Sequence, residues 1–180
     1  FWTEPINGGE GKITSDLGEF VLEGNSSIMG TRDTMCFAWQ PARNSAEIVN
    51  TYKSGSYFIA ARESLNPAAA YYGVAMRGGR GEIYVRKEKG GSPEAVASFT
   101  LSAGARWKIV RGSKNTFAVY VQSGTEWKLV KNSSVYVPMT EKMYFGVAAL
   151  DGKGILSDLE VNRISQQYGE NFENGAGNLF

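Results

Sequence analysis

The chain has 180 residues, of which 19 are basic and 18 acidic, for a formal net charge of +1. That balance gives no electrostatic pull towards nucleic acid or an acidic membrane, and no apolar run approaches the roughly 18 residues needed to cross a bilayer. Histidine is absent, which removes Ser-His-Asp and Cys-His nucleophile activation and every imidazole metal site.

From the N-terminus, Phe1 and Trp2 stand ahead of a turn-like Pro-Ile-Asn-Gly-Gly. The segment GEFVLEGN (18–25) reads as a glycine-flanked strand, and MCFAWQPA (35–42) as an aromatic strand after an acidic turn at Asp33. Cys36 lies in that run. As the single cysteine it has no internal disulfide partner and reads as a small buried hydrophobe. AEIVNTY (46–52) and YFIAARES (57–64) read as strands joined by a short loop. MRGGRGE (76–82) separates YYGVAMR from EIYVRKE and reads as a hairpin turn. No following helix supplies the N-terminal anion site of a phosphate loop.

Residues 106–150 carry four alternating strands. Trp107 with Ile109, then Phe117 with Val119 and Val121, then Trp127 with Leu129, then Met143, Phe145, Val147 and Ala149 each share a face. A side-chain period of 2 with β-branched and aromatic enrichment marks half-buried antiparallel strands, and Gly, Ser, Asn and Pro fill the breaks. Trp39, Trp107 and Trp127 fall in core-like alternation. DGKG (151–154) reads as the turn before a last strand over 156–165. QQYGENFENGAGNLF (166–180) has the composition of a disordered tail. Its apolar residues Tyr168, Phe172, Leu179 and Phe180 imply docking, on its own sandwich or on a neighbouring subunit.

The expectation is therefore an all-β chain, one sandwich of two antiparallel sheets over 1–165 with an extension at 166–180. A chain of this length buries about 70% of its unfolded surface in a single core.

Strand parity yields the candidate binding face. Turning Tyr72, Val74, Met76, Ile83 and Val85 inward leaves Tyr71, Arg77, Tyr84, Arg86 and also Arg62 outward on strands that can be neighbours. Aromatic faces stack on sugar C–H groups, and guanidinium forks hydrogen-bond hydroxyls or carboxylates. The same residues also read as cross-strand pairs on a solvated sheet, which need no ligand. A glycosidase needs two carboxylates about 5–9.5 Å apart. Asp158 and Glu160 are the nearest pair, and Glu19 and Glu23 lie about 13 Å apart along a strand. No catalytic residue is assigned.

Taken together, Trp107, Arg111, Phe117 and Tyr120, then Gly124 and Trp127, then Tyr144, Gly146 and Ala148 resemble the closing half of concanavalin A-like, laminin-G-like jelly rolls. Within these the pattern is most similar to bacterial secreted modules of the regulation-of-enolase-like group. The order of GEFVLEGNSSIMG, TRDTMCFAWQPA and FIAARESL agrees, over roughly residues 12–165, although Met29 stands where that group often has tryptophan. The resemblance implies an extracellular or cell-surface module that recognises carbohydrate on one sheet face without catalysis. A structural calcium ion at a sheet edge also goes with such jelly rolls, and Asp33 and Asp151 are its candidate ligands. No other cofactor is expected. The alternative reading is a subunit of an extracellular filament, joined to copies of itself by Phe1, Trp2 and the residues of the tail. A glycoside hydrolase comes third. Partners are thus a glycan or neighbouring copies, with neither nucleic acid nor membrane insertion.

Overall fold

The computed structural model describes residues 1–164. Thirteen strands form among them. The first seven are β1 (Trp2–Ile6), β2 (Gly11–Asp16), β3 (Glu19–Asn25), β4 (Met35–Arg43), β5 (Ala46–Arg62), β6 (Tyr71–Arg77) and β7 (Arg80–Arg86). Six more follow: β8 (Glu94–Thr100), β9 (Arg106–Arg111), β10 (Thr116–Ser123), β11 (Glu126–Leu129), β12 (Val135–Tyr136) and β13 (Lys142–Arg163). Every pairing is antiparallel. No helix among the described residues is long and apolar enough to cross a membrane.

Strands β5 and β13 have 17 and 22 residues, longer than a single layer needs, and each bends to serve both layers. In the first layer the order is β1–β4–β13–β5–β6–β7–β8, built on Lys142–Ala149 of β13 and Ser56–Arg62 of β5. In the second, β2 and β3 lie on one side of the later half of β13, and β9 and β10 lie beyond the first half of β5. β11 and β12 both pair with β10.

The two bends pass each other at glycines. Gly55 has φ +72°, and a Cβ there would collide with the Lys153 carbonyl; a Cβ on Gly154 would collide with that of Ser56. Only glycine admits so close a backbone approach. The expected loop after Tyr52 and the expected turn at DGKG are therefore corrected. Both segments are strand, because the sheet folds over on itself there rather than ending.

The core between the layers follows the alternation read from the sequence. Tyr57, Ile59, Tyr72, Val74, Met76, Ile83, Val85, Trp107, Ile109, Phe117, Val119, Met143, Phe145 and Val147 are all buried within it. Its polar atoms are paired, as burial demands. Trp107 Nε1 donates to Tyr57 Oη at 3.2 Å, and Tyr57 Oη donates to Asn50 Oδ1 at 2.7 Å. Tyr72 Oη donates to the Ser133 carbonyl at 2.7 Å. Trp39 and Trp127 depart from the expected core alternation. Trp39 packs on the outer side of the first layer and Trp127 on the outer side of the second, each half-buried.

Burial pushes the phenols of Tyr57, Tyr71 and Tyr72 above the ordinary tyrosine range. An unfolded tyrosine ionises near pH 10, so above about that pH the folded state holds more protons than the unfolded one and stability falls as pH rises. Below it these groups contribute no pH dependence. Ultraviolet titration should leave at least three of the nine tyrosines un-ionised until circular dichroism reports alkaline unfolding.

Candidate functional site

The outer face of the first layer is built from alternate residues of six strands. Register places Pro41, Tyr144, Arg62, Tyr71 and Arg86 in one row across it, and Trp2, Trp39, Gly146, Ala60, Gly73 and Tyr84 in the next. Sequence parity thus puts Arg62, Tyr71, Arg77, Tyr84 and Arg86 on the correct side of the sheet. The expected exposure of three of them is corrected: Arg62, Tyr71 and Arg86 are fully buried. Residues 26–34 and 63–70 fold across the sheet above them. Ile28 packs on Phe37, Phe58, Ala60 and Tyr71, and Tyr71 Oη donates to the Ile28 carbonyl at 2.9 Å.

The fastening of these loops is ionic. Asp33, itself fully buried, accepts from Arg62 Nη1 and takes a fork from Arg86, whose Nη1 lies 2.8 Å from Oδ2 and Nη2 2.9 Å from Oδ1. Further guanidinium protons go to carbonyls. Arg62 donates to those of Ser64 and Asn66, at 3.3 and 2.7 Å. Arg86 donates to those of Gly30, Ala69 and Gly91, at 2.5, 3.1 and 2.8 Å. Arg86 also lies over the Tyr71 ring, 5.0 Å from its centroid. Burial lowers the Arg62 pKa, and the Asp33 charge opposes that. Arginine keeps its charge in proteins nonetheless.

This arrangement does not fit the calcium expected at Asp33, because guanidinium groups occupy the positions a cation would take. Asp151 lies elsewhere, exposed, with Arg77 Nε at 2.6 Å. Among the described residues no three His, Cys, Asp or Glu side chains converge as metal ligands. Asp158 and Glu160, the nearest carboxylate pair, are separated by an irregularity of the strand. A bulge between Ser157 and Glu160 puts Asp158 in a left-handed conformation (φ 53°), and Glu160 pairs with Arg106 at 3.0 Å.

Two parts of the face stay open. On β6 and β7, Arg77, Arg80, Glu82 and Tyr84 form a polar set in which Tyr84 Oη donates to Glu82 at 3.0 Å. Desolvation raises the Tyr84 pKa, and the Glu82 carboxylate adds to it. About four strand spacings away, roughly 19 Å, lies an aromatic strip that sequence reasoning did not assemble. The exposed Trp2 stacks on Trp39, with centroids 6.4 Å apart and an interplanar angle of 28°. Trp39 meets Tyr144 edge-on at 4.9 Å, and Lys142 Nζ sits 5.5 Å from the Tyr144 centroid. The Trp39 indole N–H is buried and makes no hydrogen bond. Between the two open parts the surface is filled, since the Phe37 and Phe58 rings lie where side chains on Gly146 and Gly73 would stand.

Of the candidate assembly residues, Phe1 packs edge-on against Phe20 at 5.8 Å and Trp2 belongs to the strip. Tyr168, Phe172, Leu179 and Phe180 lie outside the described residues.

No family model matches the chain, and no curated protein sequence matches it. Solved structures do. The exoplasmic/lumenal domain of VIP36, in a Ca2+/Man3GlcNAc-bound form, aligns with a TM-score of 0.58 at 11% identity, over 97% of this chain and 88% of that one. The carbohydrate-binding module CBM66 from Bacillus subtilis gives 0.57 at 11%, over 89% and 94%. A legume lectin-like domain from Entamoeba histolytica gives 0.57 at 12%, over 91% and 90%. At these identities the likeness is one of fold. The chain is a lectin-like jelly-roll β-sandwich, as the concanavalin A-like pattern implied.

Removing Asp33 strands two buried guanidinium charges. Asp33→Asn should destabilise the protein by about 3–5 kcal/mol, whereas Asp151→Asn, which breaks an exposed pair, should cost less than about 1 kcal/mol. Urea denaturation of both variants checks the contrast.

Proposed function

We propose that this chain is a non-catalytic, extracellular carbohydrate-binding module whose ligand stacks on the strip Trp2–Trp39–Tyr144. The observation that carries this reading is the strip itself, a run of aromatic rings on the outer face of a lectin-like sheet, with the exposed Trp2 at one end and a buried, unpartnered indole N–H on its central ring. Sugar rings present apolar C–H faces that match aromatic rings, and their hydroxyls accept from indole N–H groups. A sugar ring laid on the exposed Trp2 extends the stack that Trp2 makes with Trp39. Lys142 beside Tyr144 adds a cation at the edge of the strip and suits a ligand with carboxylate or hydroxyl groups there.

The fold supports the same reading, since CBM66 is a carbohydrate-binding module and VIP36 was solved with Man3GlcNAc bound. Membership of the regulation-of-enolase-like group of secreted modules goes with it, on the sequence pattern set out above. Of the residues first singled out for binding, Arg77 and Tyr84 are open to solvent and form a second contact zone for a longer glycan. Arg62, Tyr71 and Arg86 serve the loops.

The test is a glycan array followed by calorimetry on each hit. Trp2→Ala removes an exposed ring and leaves the core intact, so it should fold normally and weaken binding about tenfold, the equivalent of one aromatic stack. Trp39→Ala should abolish binding. Lys128→Ala, on β11 of the second layer, should leave affinity unchanged. A full array without a hit, or binding indifferent to Trp2 and Trp39, overturns the proposal.

A further inference from the structure

The two ends of β13 come together at one corner of the sandwich. Lys142 opens the strand in the first layer, opposite Arg43 of β4, and Arg163 closes it in the second, opposite Ala46 of β5. Only Asn44 and Ser45 separate β4 from β5, and Asn44 turns there with φ 52°. The turn is tied to both ends of β13. The Asn44 N–H donates to the Glu141 carbonyl and the Ile164 N–H to that of Ser45, each at 3.0 Å. Strand ends from both layers are thus held around an open cleft of about 490 Å³, a size within the range of small-molecule sites.

The cleft has an apolar wall and a basic rim. Ala46 is buried, and Ala42 and Val161 pack against the core between the layers. Arg43, Lys142 and Arg163 stand exposed around them, and among the described residues no carboxylate lines the cleft. The acidic groups beside it are engaged. Glu141 lies 3.3 Å from Arg43 in an exposed pair, which holds that arginine only weakly. Glu47, on the outer face of the second layer, accepts from Lys108 Nζ at 2.9 Å and from Asn162 Nδ2 at 3.1 Å, so the Lys108–Glu47–Asn162 group carries no net charge. Among the described residues Lys142 and Arg163 have no acidic partner. The corner therefore carries an excess of positive charge.

This corner is continuous with the aromatic strip. In the register of β4 and β13 the pair Arg43–Lys142 follows Pro41–Tyr144, which follows Trp39–Gly146. Each step of two residues is about 7 Å, so a glycan that lies on the strip and runs past Tyr144 reaches the rim about 14 Å from Trp39. Lys142, whose Nζ sits 5.5 Å from the Tyr144 centroid, belongs to both places. We propose that the cleft is the charge-selective subsite of the carbohydrate site, and that the ligand is an anionic polysaccharide whose carboxylate or sulfate groups pair with Arg43, Lys142 and Arg163. The proposal rests on the carbohydrate reading of the strip. Guanidinium forks take anion oxygens in pairs, while the apolar wall meets the C–H face of the same sugar. Cations gathered at a cleft also raise the local concentration of an oppositely charged ligand before contact.

The experiment is calorimetry of the full chain with two matched pairs of glycans: an oligogalacturonate beside the same oligosaccharide with its carboxylates reduced to alcohols, and dextran sulfate beside dextran. The charged member of at least one pair should bind about tenfold more tightly, and the preference should fade as salt is raised. Preference within the first pair alone identifies a carboxylate-bearing sugar, and within the second alone a sulfated one. Arg163→Ala and Lys142→Gln, both at exposed positions, should each remove most of the preference with an unchanged circular dichroism spectrum. Lys131→Ala, which deletes an equal charge between β11 and β12, should keep it. Equal affinity for charged and neutral members, a preference that survives in the Arg163→Ala, Lys142→Gln double variant, or no binding of either charged glycan overturns the proposal. The first two of these outcomes leave the strip standing. Charged-glycan binding that needs Arg163 and Lys142 but is indifferent to Trp2→Ala keeps the cleft and overturns the strip instead.

Discussion

Asp33 is one carboxylate shared by two buried arginines, and the shape of the first layer's outer face depends on it. Two cations against one anion leave an excess positive charge in a place water does not reach, and the five backbone carbonyls that surround the guanidinium forks answer that excess. Only arginine has enough planar donors to serve a carboxylate and several carbonyls at once. Buried ion clusters add little net stability over a well-packed apolar equivalent. What this one supplies is a common anchor for three loops, the segments 26–34, 63–70 and 88–91, which backbone hydrogen bonds from Asp33 to Pro67 and from Gly90 to Ala68 also tie together. Because those loops are fixed, Ile28 is pressed onto Phe58 and Tyr71, and the centre of the face is closed.

A second constraint is geometric. Two strands serve both layers, so any force or distortion on one layer passes into the other along continuous backbone. β5 carries Glu47 near its start and Arg62 at its end, and β13 carries Tyr144 near its start and Asn162 near its end. The aromatic strip and the Lys108–Glu47–Asn162 group therefore lie at opposite ends of the same two strands, on opposite outer faces of the sandwich. At the glycine corner between them the two backbones approach too closely for side chains.

Much of this was legible in the sequence, and the limits have physical reasons. Alternation in residues 106–150 identified the strands and the inward set Met143, Phe145 and Val147, because those positions oppose polar or small neighbours. The run MCFAW was ambiguous, since both of its faces are covered in the fold. Met35, Phe37 and Trp39 lie under loops or against Trp2, while Cys36 and Ala38 point the other way, so apolar residues on both sides hid the parity of Trp39. Parity did place Arg62, Tyr71 and Arg86 on the outer side of the sheet. It could not say that the outer side was covered, because Asp33 and the covering loops are distant in sequence and neutralise the charges only in three dimensions. Glu47, Lys108 and Asn162 gave no signal at all, as a trio drawn from three strands has no spacing to recognise. The strip had one readable half: Tyr144 alternates with Met143 and Phe145, so it had to face outward once those were assigned inward.

With the centre of the face filled, the proposed carbohydrate recognition would be a surface event at the end of the sheet. Three rings at about 0.5–1.5 kcal/mol each and one unspent N–H donor give a gross gain of only a few kcal/mol, and part of it is lost to the freedom the ligand gives up. A single strip is thus suited to millimolar rather than nanomolar affinity. Weak, shallow contacts become useful when many copies act on one polymer, because linked sites multiply through effective concentration. The buried Asp33 cluster is consistent with that use, since it fixes the chain rather than shaping a cavity.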